Sequence, residues 1–180
     1  MRPRAYPRVP EPTPRPPTRD APVDGDAADG RHYSPPVPDV LLATDADWIA
    51  DEIDAALAGP GTAVRRLRRG VDVLPAIDEQ EPDLIILDLQ IGNMGGMAAC
   101  MAVRLEESAG RLDRLPVMML LDRSADLFLA RRSDADGWLL KPLDAFRLRR
   151  AADALLAGDQ YHDRVGTEDA MGEADAADAP

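Results

Sequence analysis

The chain has 180 residues, 45% hydrophobic and 30% charged, enough for one ordinary domain with tails and too few for a two-domain enzyme. Its 33 acidic against 21 basic side chains leave a formal charge of −12, so the surface repels phosphate backbones and anionic lipid heads, and neither nucleic acid nor a membrane is an expected partner. A single cysteine, Cys100, excludes an internal disulfide and a zinc cluster, and the lack of a membrane-length apolar run or a signal-like N-terminus points to the cytoplasm.

Eleven of the 17 prolines fall within residues 1–38, beside Arg2, Arg4, Arg8, Arg15 and Arg19 and without aliphatic periodicity. That composition predicts a disordered, polyproline-like leader, with PEPTP at residues 10–14 as a candidate ligand for an aromatic groove. The folded core is expected over residues 39–160. Val40, Leu41, Leu42 and Ala43 predict a first strand ended by Thr44 and Asp45, and Trp48, Ile49, Ile53 and Leu57 recur at helical spacing until Gly59, Pro60 and Gly61 stop them. Residues 62–68 predict a weaker second strand, 71–80 a short helix, and 83–87 a run apolar enough to be buried on both faces. After a glycine-rich loop, 97–107 reads as a helix, 116–121 as another buried strand, 124–132 as a short helix, 137–140 as a last strand and 143–156 as a last helix. From residue 161 onward, Asp163, Glu168, Asp169, Glu173, Asp175 and Asp178 among alanines and glycines predict an acidic tail at 161–180. His32 and His162 fall in the two tails, so neither is a candidate base or ligand. The alternation predicts an α/β fold: a doubly wound, five-stranded parallel sheet with helices on both faces.

Such sheets bind ligands beyond the carboxyl ends of their strands. The polar residues there are Asp45 after the first strand, Asp88 after the third, Asp122 after the fourth and Lys141 after the fifth. Two carboxylates, Asp45 and Asp88, supply the oxygen ligands Mg²⁺ prefers, and Lys141 beside them neutralises a second source of negative charge.

Five stretches, VLLATD at 40–45, PDLIILDL at 82–89, MGGM at 94–97, PVMM at 116–119 and DGWLLKP at 136–142, resemble the receiver domain of two-component response regulators. The resemblance covers the core and omits both tails. It implies a flavodoxin-like strand order 2-1-3-4-5, a phosphoacceptor at Asp88, and a Mg²⁺ site made by Asp45, Asp88 and the backbone carbonyl of Gln90. It further implies that Lys141 pairs with the phosphoryl group and that Trp138 is the family's rotating switch aromatic. The phosphoryl donor would be a phosphohistidine on a sensor histidine kinase or phosphotransfer protein, and the output a contact with an unidentified downstream protein made by a monomer or weak homodimer. No turnover enzyme is implied, and no output domain is expected after residue 156, so the chain is read as a stand-alone receiver.

Two departures bear on that expectation. Thr44 stands where the family has the first of its paired acids, which weakens the metal site. Leu121 stands where the family has a switch hydroxyl; a charge-assisted hydrogen bond of about 1.5–3 kcal/mol is thereby missing. Gly92 replaces the usual loop proline. Thr44 and Leu121 together raise the alternative of a degenerate receiver that binds partners without phosphorylation, whereas Gly92 only loosens the loop. A flavodoxin-like or hydrolytic enzyme on the same scaffold has neither a phosphate loop nor a nucleophile elbow in its favour. Arg65, Arg66, Arg68 and Arg69 are read as edge-strand charges that discourage sheet-to-sheet pairing, the methionines as core packing and Cys100 as an inert thiol.

Overall fold

The computed structural model describes residues 37–58 and 62–163. The leader through residue 36, with its PEPTP motif and His32, the helix stop at Gly59, Pro60 and Gly61, and the acidic residues from 164 onward lie outside the described residues.

Five strands form where the sequence places them: β1 Asp39–Ala43, β2 Ala63–Leu67, β3 Leu84–Asp88, β4 Val117–Leu121 and β5 Gly137–Leu140. The helices α1 Asp47–Leu57, α2 Val73–Glu79, α3 Gly96–Ser108 and α4 Leu127–Arg132 connect them, and α5 Ala145–Leu156 follows β5. Single 3-10 turns, Gly70–Asp72 and Ser124–Asp126, lead into α2 and α4, so both helices begin later than their periodicity predicts. All pairings are parallel and the order is β2-β1-β3-β4-β5-β6. The sheet is the expected flavodoxin-like, doubly wound one with a strand added. That strand, β6 Tyr161–His162, lies where an acidic tail was expected, pairing Tyr161 with Gly137 and His162 with Trp138. Two residues are too short to show a period of two, so tail composition hid the strand.

Alternation along the strands builds two cores. Leu41, Ala43, Ile85, Leu87, Val117, Met119, Leu121 and Trp138 face α2, α3 and α4, while Val40, Leu42, Leu84, Ile86, Met118, Leu120 and Leu139 face α1 and α5. β1, β3 and β4 are buried throughout, as central strands of a two-sided parallel sheet should be.

β2 is the edge, and its arginines are already engaged. Arg65 grips Asp39 at 2.9–3.0 Å, Arg66 and Arg68 share Asp47, and Arg69 pairs with Asp72. Met97 packs on the core, whereas Met101 is 48% and Met94 40% exposed, so core packing does not account for all the methionines. Cys100 is buried with its Sγ 3.2 Å from the Ser133 carbonyl, and burial pushes the thiol up in pKa, consistent with inertness.

At the amino-terminal ends of β4 and β5, Arg104 bonds Glu107 at 2.7 Å, Asp136 at 2.6 Å and the Leu115 carbonyl at 2.9 Å. Asp136 also accepts the Val117 amide and pairs with Arg114. Burial pushes the Asp136 carboxyl up, but the hydrogen bonds from Arg114 and Val117 and the charge of Arg104 outweigh it and hold the group below the usual carboxylate range. A folded-state pKa below the unfolded one contributes stability above about pH 4 that is lost as the solution is acidified through the folded value. Asp136→Asn is therefore expected to cost about 2 kcal/mol at pH 7. Urea unfolding should show that difference shrinking as the pH falls toward 3; a difference independent of pH would contradict the assignment.

Candidate functional site

The crevice at the carboxyl ends of the strands is built around Asp88, the last residue of β3 and only 2% exposed. Its two oxygens have separate partners. Oδ1 accepts the Lys141 ammonium at 2.7 Å and the Gln90 amide at 3.2 Å; Oδ2 accepts the Thr44 hydroxyl at 2.9 Å. Lys141 follows β5 immediately, ahead of a cis peptide bond to Pro142. Thr44 follows β1, is fully buried, and accepts the Ala46 amide at 3.2 Å. Arg66 of the neighbouring strand donates to the Thr44 carbonyl at 3.1 Å, which holds this turn in place.

Asp45 is exposed at the mouth of the crevice, its Oδ2 accepting the Gly92 amide at 3.2 Å. The β3–α3 loop is thus tied to the β1 turn. Gln90 turns its amide toward Asp88 and is itself exposed. Thr44, Asp88 and Lys141 form one hydrogen-bonded unit, with Asp45 and Gln90 at its rim.

Two neighbours of Lys141 went unassigned in the sequence. Asp122, directly after β4, takes the Lys141 ammonium at 3.1 Å, and the Trp48 ring lies beneath the same ammonium, 5.8 Å from its centroid. Asp122 had been placed at a strand end without a role. Trp48 shares helical spacing with Ile49, Ile53 and Leu57, but the buried face of α1 is Ile49, Ala50, Ile53 and Ala56, and the tryptophan is half-exposed. A ring one position off the apolar face lands over the crevice, where a cation meets its π surface.

Leu121 and Trp138 lie together in the core facing α3 and α4, Leu121 with no exposure and Trp138 with 4%. Leucine offers no donor to the crevice. Trp138 is stacked on His162, ring centroids 3.8 Å apart and planes within 10°, with the Arg131 guanidinium 5.5 Å from its centroid. His162, assigned to the tail in the sequence, is therefore part of the sheet.

Two carboxylates, Asp88 and Asp122, face the Lys141 ammonium and Asp45 lies at the rim, so the acids of the crevice outnumber its lysine. Asp122 sits on the Lys141 side of Asp88, opposite Thr44, and among the described residues no three acidic, histidine or cysteine side chains are grouped to hold a metal ion. The remaining side-chain donors for a cation are the Asp45 and Asp88 carboxylates and the Thr44 hydroxyl, all hard oxygen. They fit Mg²⁺, which takes one or two protein carboxylates and keeps several waters.

Residues 40–153 match the family model described as a response regulator receiver domain. The transcriptional regulatory protein AfsQ1 of Streptomyces coelicolor is 32% identical over 109 residues, which cover 59% of this chain and 46% of that protein. The transcriptional regulatory protein GltR of Pseudomonas aeruginosa is also 32% identical, over 68% of this chain and 50% of that protein. The chain spans about half the length of the curated relatives it matches. Among solved structures, one described as a response regulator from Chloroflexus aurantiacus superposes with a TM-score of 0.61 at 26% identity, covering 67% of this chain and 98% of that one.

Proposed function

The chain belongs to the response regulator receiver family, and from that premise we propose that it accepts a phosphoryl group on Asp88 from a phosphohistidine of a sensor histidine kinase or phosphotransfer protein in the cytoplasm, and signals by contact with a downstream protein. The observation that supports this most is the 2.7 Å pair between Asp88 and Lys141, residues 53 apart in sequence, at the carboxyl ends of β3 and β5. For transfer, the Thr44 hydroxyl releases Oδ2, which attacks phosphorus; the P–N bond to the donor imidazole breaks, an O–P bond forms, and the leaving imidazole takes up a proton. Lys141 stays beside the reacting carboxylate and offsets the charge of the incoming phosphoryl oxygens. Asp45, Asp88 and the Gln90 carbonyl, with Thr44 in place of an acid, would hold Mg²⁺, whose charge offsets that of the transferring group. The acidic surface supports a protein partner over nucleic acid.

A second reading, an interaction module that works without phosphorylation, is favoured by the buried Leu121 and by Asp122, whose charge opposes an incoming anion. Acetyl phosphate with Mg²⁺ separates the two. Intact mass should show one added phosphoryl group on the wild type and none on Asp88→Asn; an unmodified wild type supports the second reading.

A further inference from the structure

After α5 the chain turns at Gly158 and lays β6 along the open edge of β5. Three consecutive residues each make a different contact there. Tyr161 packs into the core beside α5. His162 stacks on Trp138. The Asp163 amide donates to the Trp138 carbonyl at 3.2 Å, and its carboxylate accepts the Leu140 amide at 3.1 Å and the Arg147 guanidinium. Arg147 also donates to the Leu140 carbonyl at 2.9 Å. Both backbone polar groups of Leu140 are thus held by Asp163 and its α5 partner, and the next residue is Lys141.

Two further features belong to this arrangement. A Cβ on Gly137 would lie 2.7 Å from the Tyr161 carbonyl oxygen, so glycine at the start of β5 is what lets β6 approach. Trp138 is buried with its Nε1 lacking a hydrogen-bond partner, and neither Met119, opposite it on β4, nor the nearby Leu121 can supply one. The stack with His162 covers the face of the ring at the sheet edge, beside its core packing and the Arg131 guanidinium.

We propose that residues 161–163 are a latch: Asp163 is a positioning residue that, through Leu140 and Arg147, fixes the end of β5 carrying Lys141, while His162 locks Trp138 inward. Release of the segment frees both at once, which links the β5 edge of the sheet to the crevice. A two-residue ladder is the kind of element that opens locally while the rest of the sheet stays folded. The effect on Lys141 rests on the phosphoacceptor reading; the effect on Trp138 does not.

The test uses the full chain carrying Trp48→Phe, which leaves Trp138 as the single tryptophan. Acrylamide should quench it poorly, and His162→Ala or Asp163→Ala should raise the quenching constant about threefold or more as the segment opens. His162→Phe keeps a ring to stack and Asp163→Glu keeps the charge, so both should remain shielded. Unchanged quenching in the alanine variants, or equal quenching in the conservative ones, overturns the latch. With acetyl phosphate and Mg²⁺ on the chain with Trp48 intact, Asp163→Ala should slow adduct formation about tenfold, the factor set by one charge-assisted hydrogen bond, and Asp163→Glu should restore most of it. A wild-type rate in Asp163→Ala overturns the positioning role. If the wild type forms no adduct, the phosphoacceptor reading fails, and Trp138 quenching alone decides the latch.

Discussion

Lys141→Met is expected to lower folding stability by about 3–5 kcal/mol, a larger loss than any neutral substitution at Asp88. The ammonium touches two carboxylates in the crevice, at 2.7 Å from Asp88 and 3.1 Å from Asp122, and the Lys141 and Asp88 side chains are 8% and 3% exposed. Methionine keeps the aliphatic stem and removes the charge. The Asp88 carboxylate then keeps the Thr44 hydroxyl and Gln90 amide but has no counter-charge while remaining out of water. The reverse change is milder, because Asp88→Asn leaves Lys141 with Asp122 and the Trp48 face; a cost of about 1 kcal/mol is expected. Urea unfolding at pH 7 of the two single variants and the double variant closes the cycle. The double variant should recover most of what Lys141→Met loses, and equal costs in the two single variants would show that burial is not what makes the pair asymmetric. Because this readout is stability, it holds whether or not Asp88 is ever phosphorylated.

Gly96→Ala is expected to cost about 3 kcal/mol, at the upper end for overpacking by one methyl group, even though alanine is the better helix former. An added Cβ would sit 2.4 Å from the Asp88 carbonyl oxygen and 3.0 Å from the Leu89 Cα. Both are main-chain atoms with no rotamer to escape into, so α3 would have to lift from β3. That shift reaches the crevice, because the Gly96 amide bonds the Leu89 carbonyl and the Gln90 amide bonds Asp88. Thermal unfolding should show the loss directly. A neutral or stabilising Gly96→Ala would mean that the first turn of α3 does not press on the end of β3 as described.

The strands of the central sheet were legible because burial on both faces leaves an unbroken apolar run, as in LIIL at residues 84–87, and such runs resist other assignments. Asp88 and Lys141 were legible for a related reason: in an open parallel sheet any polar residue at the carboxyl end of a central strand is delivered to the same crevice, whatever the loops do. Trp48, His162 and Asp163 were not, and Asp122 was legible as a strand-end carboxylate but not as a partner of Lys141. Trp48 satisfies the helical period within one position, and a rotation of one residue, about 100°, is the difference between core and crevice. Asp122 is one carboxylate among many in an acidic chain until β4 and β5 set it against Lys141.

By itself, then, the amino-acid sequence determined the order and type of the long elements, the two-sided burial of the sheet, and the chemical identity of what stands at the strand ends, including a threonine and a leucine where an acid and a hydroxyl would serve phosphoryl binding. Only the tertiary structure decided which of those groups touch: that Thr44 turns its hydroxyl onto Asp88, that Lys141 is shared between two carboxylates over an aromatic ring, and that three residues with the composition of a tail close the edge of the sheet. The reason is that periodicity records how one segment partitions between water and core, a local property averaged over a face. A contact between residues far apart in the chain depends on strand register and on which way each turn leaves the sheet, and both are set by packing many elements at once.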